Sequence, residues 1–374
     1  MLSHTFTNGD DQYIDKKRYL WLLSVVIPGE IAIGPALYLI WPNSLFLWLT
    51  PILFYCIIPI GDIIVGDDKS NPPESIVPQL EHDKYYRVIT FALLPILLAT
   101  FFFVCWFVTS QDLTIIDYVA MVLSGGFLAG YAINLGHEMG HKLTPSEQWG
   151  AKIALSLAAY THFNVEHNLG HHKWVATPED SASSKYGESI YRFYLREYPS
   201  SWSRAWNIER TRLTKQGLPL ISFSNQLVQG WLLTLSLYTI LTFAFGIAVL
   251  PFILLVALWG GFQLTTANYI EHYGLKRKKL DNGRYERCQP HHSWNSNHLL
   301  SNWTLFHLQR HSDHHTYPMR RYQSLRHFDD IPQLPTGYYG MFLLAYITPL
   351  WFKVMNPRVL EAVDNDWQRV NTIK

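Results

Sequence analysis

Three short stretches of this 374-residue chain space histidines as metal ligands are spaced. HEMGH holds His137 and His141, EHNLGHH holds His167, His171 and His172, and HSDHH holds His311, His314 and His315. Side chains three or four positions apart share one face of a helix, where their imidazoles can converge on one ion. Adjacent histidines, His171 with His172 and His314 with His315, are turned about 100° from each other on a helix, so one of each pair can face a second metal. A ninth candidate, His272 in NYIEHYGL, follows a long apolar run just as His137 does. Nine imidazoles suit two metals of the Zn, Cu, Fe or Ni type. Glu138, Glu166, Glu271 and Asp313 each stand beside a candidate ligand, where a carboxylate can accept from the second imidazole nitrogen. His162, His291, His292, His298 and His307 lack the repeating spacing and read as supporting or structural residues, while His4, His82 and His327 read as ordinary ones.

The elements that must position these groups are membrane helices. The chain is 48% hydrophobic and 15% aromatic, with only 16% charged residues. Its apolar residues form three blocks: residues 19–64 contain only Glu30 and Asp62 as charges, residues 88–135 only Asp112 and Asp117, and residues 228–270 none. Each block is long enough for two spans of about 20 residues. Breaks at WPNS (41–44), TSQDLT (109–114) and Gly246 to Pro251 divide them into six expected helices, at 19–41, 44–64, 88–108, 113–135, 228–246 and 249–270. The expected fold is an all-α integral membrane protein, a single domain over residues 1–374, with a mostly helical cap formed by 136–227 and 271–374. All 30 Lys and Arg residues fall outside the blocks and on one side of this topology. That side is expected to be cytoplasmic, with both termini and the histidines there. Lys16, Lys17 and Arg18 precede a run long enough to span, with no small-residue cleavage site after it, so no signal peptide is expected.

Several function classes are excluded by what this arrangement lacks. A zinc peptidase built on HEMGH needs three ligands, an open coordination position and a glutamate base, which would leave six well-spaced histidines without a task. A metal transporter would carry ionisable or sulfur ligands along a path through its spans. Here Glu30, Asp62 and Asp117 are scattered, and Cys56 and Cys105 fall in different helices. With Cys288 they form no C-x-x-C pair, so neither a built-in iron–sulfur or zinc module nor a disulfide framework is expected. A net charge of +1 argues against a nucleic-acid partner. A metal pair below aromatic and aliphatic helices favours an apolar substrate and redox attack on a C–H bond. The chain also has no G-x-G-x-x-G after an expected strand and no flavin motif, so electrons must come from a separate donor.

The set HEMGHK, EHNLGHHK, NYIEHYGL and LQRHSDHH resembles the histidine boxes of the membrane-bound bacterial alkane 1-monooxygenases, a family of non-haem di-iron membrane enzymes related to fatty-acid desaturases. DKKRYLW, NPPESIVPQLE, VATPEDSAS, GESIYRFYLRE and PHHSWNSNHLLSN extend the likeness over nearly the whole chain; Thr316 stands where many relatives have alanine. The resemblance implies two irons held by the nine histidines in a bacterial inner-membrane enzyme. O2, two electrons and two protons would place one oxygen on the terminal methyl of a medium-chain n-alkane and the other in water. It also implies rubredoxin as the donor, kept reduced by an NADH-dependent rubredoxin reductase. Rubredoxins are usually acidic, and Lys276, Arg277, Lys278, Lys279, Arg320 and Arg321 are candidate contacts. Related membrane hydroxylases, including those acting on xylene methyl groups, and desaturases acting on other lipids are the alternatives.

An alkane offers no polar handle, so only shape and burial, at roughly 0.8 kcal/mol per methylene, can select it. Bulky side chains on the spans are the expected end-stops of a substrate tunnel: Trp48, Phe54 and Tyr55 on the second, Phe127 on the fourth and Phe262 on the sixth.

Overall fold

The long helices begin at side-chain caps. Asp83 accepts the Tyr85 amide at the start of Lys84–Ser110, Thr114 and Asp117 form a reciprocal capping box before Ile115–Gly140, and Asn225 accepts the Leu227 amide before Gln226–Phe245. In a computed structural model, which describes residues 4–373, these three helices together with Ser44–Val65 and Val249–His272 are long and apolar enough to cross a membrane. A sixth candidate is the pair Leu20–Glu30 and Ile33–Ile40, bent by 46°. Pro35 cannot donate to the Ile31 carbonyl and its ring crowds that position, so the straight helix expected over 19–41 is broken. The second helix also departs from regularity, through a π turn at Leu53–Ile57 that carries Phe54 and Tyr55.

Ile115–Gly140 and Val249–His272 run side by side in the same direction. Small residues bring them together: a methyl added at Gly260 would sit 2.5 Å from the Ala129 Cβ, and one at Gly126 would collide with the Trp259 ring. Both helices run beyond the apolar windows expected from sequence, so His137 and His272 lie in their last turns and arrive together. Large apolar side chains on the outer faces of the bundle, such as Phe243 at 92% and Ile64 at 77% exposure, form the kind of surface that lipid covers.

The segment after His141 does not form a separate layer. Pro145–Leu157 folds back along Ile115–Gly140, with Gly136 fitted against Leu155 and Ala151. The chain then returns through Phe163–Glu166, a π turn at His167–His171 and the short helix His172–Trp174 before the long helix Ile190–Lys215. Residues 273–336 also correct the expectation of a mostly helical cap, because helix there is confined to short pieces such as Leu299–Thr304 and His311–Thr316. Prolines 290, 318, 332 and 335 interrupt it, and buried polar side chains take over the backbone pairing. Arg310, 1% exposed, donates to the carbonyls of Asp68, Ser70 and Leu325, and Asp62 on the second helix accepts from the Ser301 amide and hydroxyl. The fold is not purely helical either. His4–Asn8 and Asp11–Asp15 form an antiparallel hairpin around the two-residue turn Gly9-Asp10, whose first position, at φ +60°, suits glycine.

Candidate metal centre

Helix ends from four parts of the chain bring eight histidines into two groups. His137, His141, His167 and His314 form one, and His171, His272, His311 and His315 the other; within each, the ligand nitrogens lie within 4.8 Å of one another. His137 with His141 and His311 with His315 behave as helical spacing leads one to expect. His167 and His171 do not. Across the π turn that joins them their rings stack 5.2 Å apart, yet each serves a different group. The ninth histidine, His172, stands between the groups, its Nε2 3.1 Å from that of His167 and 3.2 Å from that of His314, its ring centroid 4.4 Å from that of His315.

The nitrogens fit bound cations better than they fit one another. His137 and His314 approach at 3.0 Å through Nε2, His311 and His272 at 3.1 Å, and His315 and His311 at 2.8 Å. At metal–nitrogen bonds of about 2.1 Å, neighbouring ligand atoms lie roughly 3 Å apart. Hydrogen bonding can satisfy only one lone pair in each contact, and the Nε2 atoms of His141 and His171 are buried with no partner. Burial, helped by the neighbouring imidazoles, drives His141, His167, His172, His311, His314 and His315 well below the ordinary histidine range. Neutral imidazole is the form that binds metal.

Carboxylates near the site divide differently from their order in sequence. Glu138 pairs with Lys142 at 3.2 Å, Glu166 with Arg204 at 3.2 Å, and Asp313 with Arg320 at 3.0 Å, so none of these three meets an imidazole. Glu271 does, with Oε2 3.3 Å from His311 Nε2. The carboxylate that holds the rear nitrogen of a candidate ligand is Asp180, which sequence reading passed over: its Oδ2 is 2.9 Å from His171 Nδ1. Burial would raise the Asp180 carboxyl, but His171 and Arg204 hold it below the usual range. Behind His272 Nδ1 stands the Ser293 hydroxyl, at 3.5 Å. Only the acidic pair in VATPEDSAS, Glu179 and Asp180, soon after the second histidine stretch, could have hinted at it.

A narrow apolar cavity opens against both groups. At its metal end stand His137, His167, His311, Asn268 and Glu271, and at the far end Phe127, Tyr131, Gln263 and Tyr339. Of the five expected end-stops, Phe127 lines it. Phe54 and Tyr55 lie one layer behind, their rings 4.5 and 4.9 Å from that of Phe127. Phe262 stacks instead on Trp259 and Tyr346, and Trp48 packs into the core away from the lining.

The other histidines lie outside the two groups. His162 hydrogen-bonds Ser201 and stacks on Trp202, His307 bonds the Tyr322 carbonyl, His298 bonds Ser296, and His327 approaches Asn297 and Asp329. Glu286, His291 and His292 form a third small cluster. There His292 Nδ1 accepts the Gln289 amide, which leaves Nε2 to carry the proton toward Glu286 and makes it a poor ligand. Two of the expected donor contacts are already engaged: Arg320 pairs with Asp313 and Glu74, and Arg321 with Glu147 and Glu81. Arg277 is buried as well.

Apolar helices carrying clustered histidines at their ends define a class of membrane metalloprotein, and residues 113–345 match the fatty acid desaturase family. Within it the likeness is narrower. The chain is 49% identical to alkane 1-monooxygenase 1 of Alcanivorax borkumensis, over 96% of this chain and 89% of the relative, and 46% identical to alkane 1-monooxygenase of Ectopseudomonas oleovorans, over 98% and 92%. The hydroxylase component of the xylene/toluene monooxygenase of Pseudomonas putida is 29% identical over 63% of the chain. The protein belongs to the alkane 1-monooxygenase family.

Proposed function

We propose that the protein hydroxylates the terminal methyl of medium-chain n-alkanes at two irons, one held by His137, His141, His167 and His314, the other by His171, His272, His311 and His315, with His172 completing the centre between them. Bound iron supplies the activation of O2; the chain supplies the ligands, the fit of the substrate and the exclusion of water. The observation that carries this reading is the apolar cavity ending on imidazoles of both groups. Its walls hold a hydrocarbon by burial alone, and the few polar groups at its metal end, Asn268 and Glu271, sit where the oxidised carbon would emerge.

The cavity also suits a particular length. Phe127 and His137 lie on one helix, ten residues and so about 15 Å apart along its axis. An extended methylene chain, with bonds of about 1.5 Å and angles near 111°, advances by roughly 1.25 Å per carbon, so roughly ten to twelve carbons reach from end to end. Replacing Phe127 by alanine is expected to lengthen the accepted chain by a few carbons, read from product profiles over a series of n-alkanes. Phe262→Ala is expected to leave the profile unchanged.

Electrons would come from reduced rubredoxin. A bacterial inner-membrane location with both termini and the centre in the cytoplasm is supported by the one-sided distribution of lysine and arginine. The test is incubation of purified protein with octane, O2 and reduced rubredoxin. Formation of 1-octanol is expected; an olefin, or no oxidised product, would refute the reading.

A further inference from the structure

Apart from the imidazoles, the polar side chains that line the apolar cavity are paired within the protein, with one exception. At the far end Tyr131 and Tyr339 bond each other through their hydroxyls at 2.7 Å, while Gln263 donates to the Tyr55 hydroxyl at 3.3 Å and accepts from that of Tyr346 at 2.6 Å. At the metal end Asn134 donates to the Leu305 carbonyl at 3.0 Å, and Glu271 has one carboxylate oxygen 3.3 Å from His311 Nε2 and the other sealed within the protein. Asn268 is the exception. It is 4% exposed and borders the cavity together with His137, His167 and His311, and among the described residues no group hydrogen-bonds its side-chain amide.

The helix Val249–His272 sets Asn268 there. Leu264, Asn268 and Glu271 are spaced by four and three positions, so they share the face turned to the cavity, and Asn268 stands one turn before His272. Its neighbours in the lining include Leu264, Ala267, Phe163 and Leu308, whose side chains cannot hydrogen-bond. A buried amide left unpaired is destabilising, so one facing a cavity calls for a ligand that pairs with it. An alkane has no polar atom and cannot be that ligand. What the reaction adds is a hydroxyl, on the carbon at the metal end, and a side-chain amide offers a hydroxyl both a donor and an acceptor.

Building on the oxygenase reading, we propose that Asn268 binds the hydroxyl of the alkanol product while the alkyl chain stays within the apolar walls. Substrate and product then occupy the same cavity and differ by this one contact. The amide is unpaired when alkane is bound and satisfied when alkanol is bound, so the oxidised chain is held more firmly and competes with the next alkane until it leaves. A group placed to hydrogen-bond a hydroxyl discriminates against the analogue without one, because that analogue leaves the group unpaired.

The experiment measures binding rather than turnover. Full-length, iron-loaded enzyme is kept under argon with no reductant, and 1-decanol and 1-chlorodecane each compete against radiolabelled decane in one detergent, so that partition into micelles cancels between wild type and variant. Asn268→Leu, close to asparagine in volume, is expected to weaken 1-decanol about tenfold, the worth of one neutral hydrogen bond, and to leave 1-chlorodecane and decane within twofold of wild type. Unchanged 1-decanol affinity would overturn the proposal, since the hydroxyl is then held by the metals or by water. Equal losses for all three ligands would overturn it too, because a merely structural residue gives that result. Should Asn268→Leu fail to fold, Asn268→Ser and Asn268→Ala take its place: serine, which offers a hydroxyl, is expected to bind 1-decanol severalfold more tightly than alanine, and equal affinities would overturn the proposal. The octane turnover test decides the oxygenase reading separately. No octanol there, with 1-decanol affinity that depends on Asn268, would sink that reading and leave the alcohol site standing.

Discussion

The two histidine groups have the same number of imidazoles but different surroundings. The second group is backed by Asp180 on His171 and Ser293 on His272, and faces Glu271 across His311. Among the described residues the first group has no carboxylate paired with an imidazole; Glu138, next to His137 in sequence, is taken by Lys142. It is instead the more open of the two, reached from the apolar cavity at His137 and His167 and, at His141, from a surface pocket that Lys142, Leu169 and Met319 also line. A carboxylate behind a ligand fixes its tautomer and raises its basicity, so the second group should hold its ion more tightly. Access and retention are thus divided between two sites that a motif search would score as equals.

Removing a ligand from either group should have the largest effect. His141→Ala and His272→Ala are each expected to reduce alkanol formation to background, since the chemistry needs both ions; residual turnover in one of them would mean that a single group suffices. Asp180→Asn keeps the shape but removes the charge, and should weaken metal retention roughly 10- to 100-fold in the second group alone. Chelator titration followed by metal analysis would show it, and equal losses from both groups would erase the distinction.

Acid should separate the groups more gently. The buried imidazoles sit well below the ordinary histidine value, so below about pH 6.5 the unfolded chain binds protons that the folded protein does not. Stability from them is therefore present above that pH and lost as pH falls, and protons compete with metal over the same range. The first group is expected to empty first, because Asp180, held ionised below the usual carboxylate range, favours the second. Stepwise dialysis from pH 7.5 to 5.0 with metal analysis gives the order. The smallest effect is expected for Glu138→Gln, which breaks only the Lys142 pair and should leave metal content unchanged and activity within about twofold.

The histidines were legible in the sequence because four-residue spacing on a helix is a local property, and the apolar blocks because membrane spans depend on composition alone. What was not legible depended on departures from regular helix or on contacts between distant segments. The π turn sends His167 and His171 to different groups, although their spacing is that of His137 and His141. Asp180 reaches His171 across an irregular loop that no periodicity describes. Phe127 and Phe262 look alike on helices that are apolar all round, where sequence carries no stripe to say which face meets a cavity. The hairpin at residues 4–15 carries only a short Gly-Asp turn signal, which the long apolar blocks outweigh.

The claim that two separable imidazole groups each hold one ion is tested most directly by counting iron in the purified wild-type protein and in His141→Ala and His272→Ala. The account expects two irons per chain in the wild type and one in each variant, with a different iron spectroscopic signature surviving in each. A wild type holding one ion, or variants that both lose everything or nothing, would contradict it.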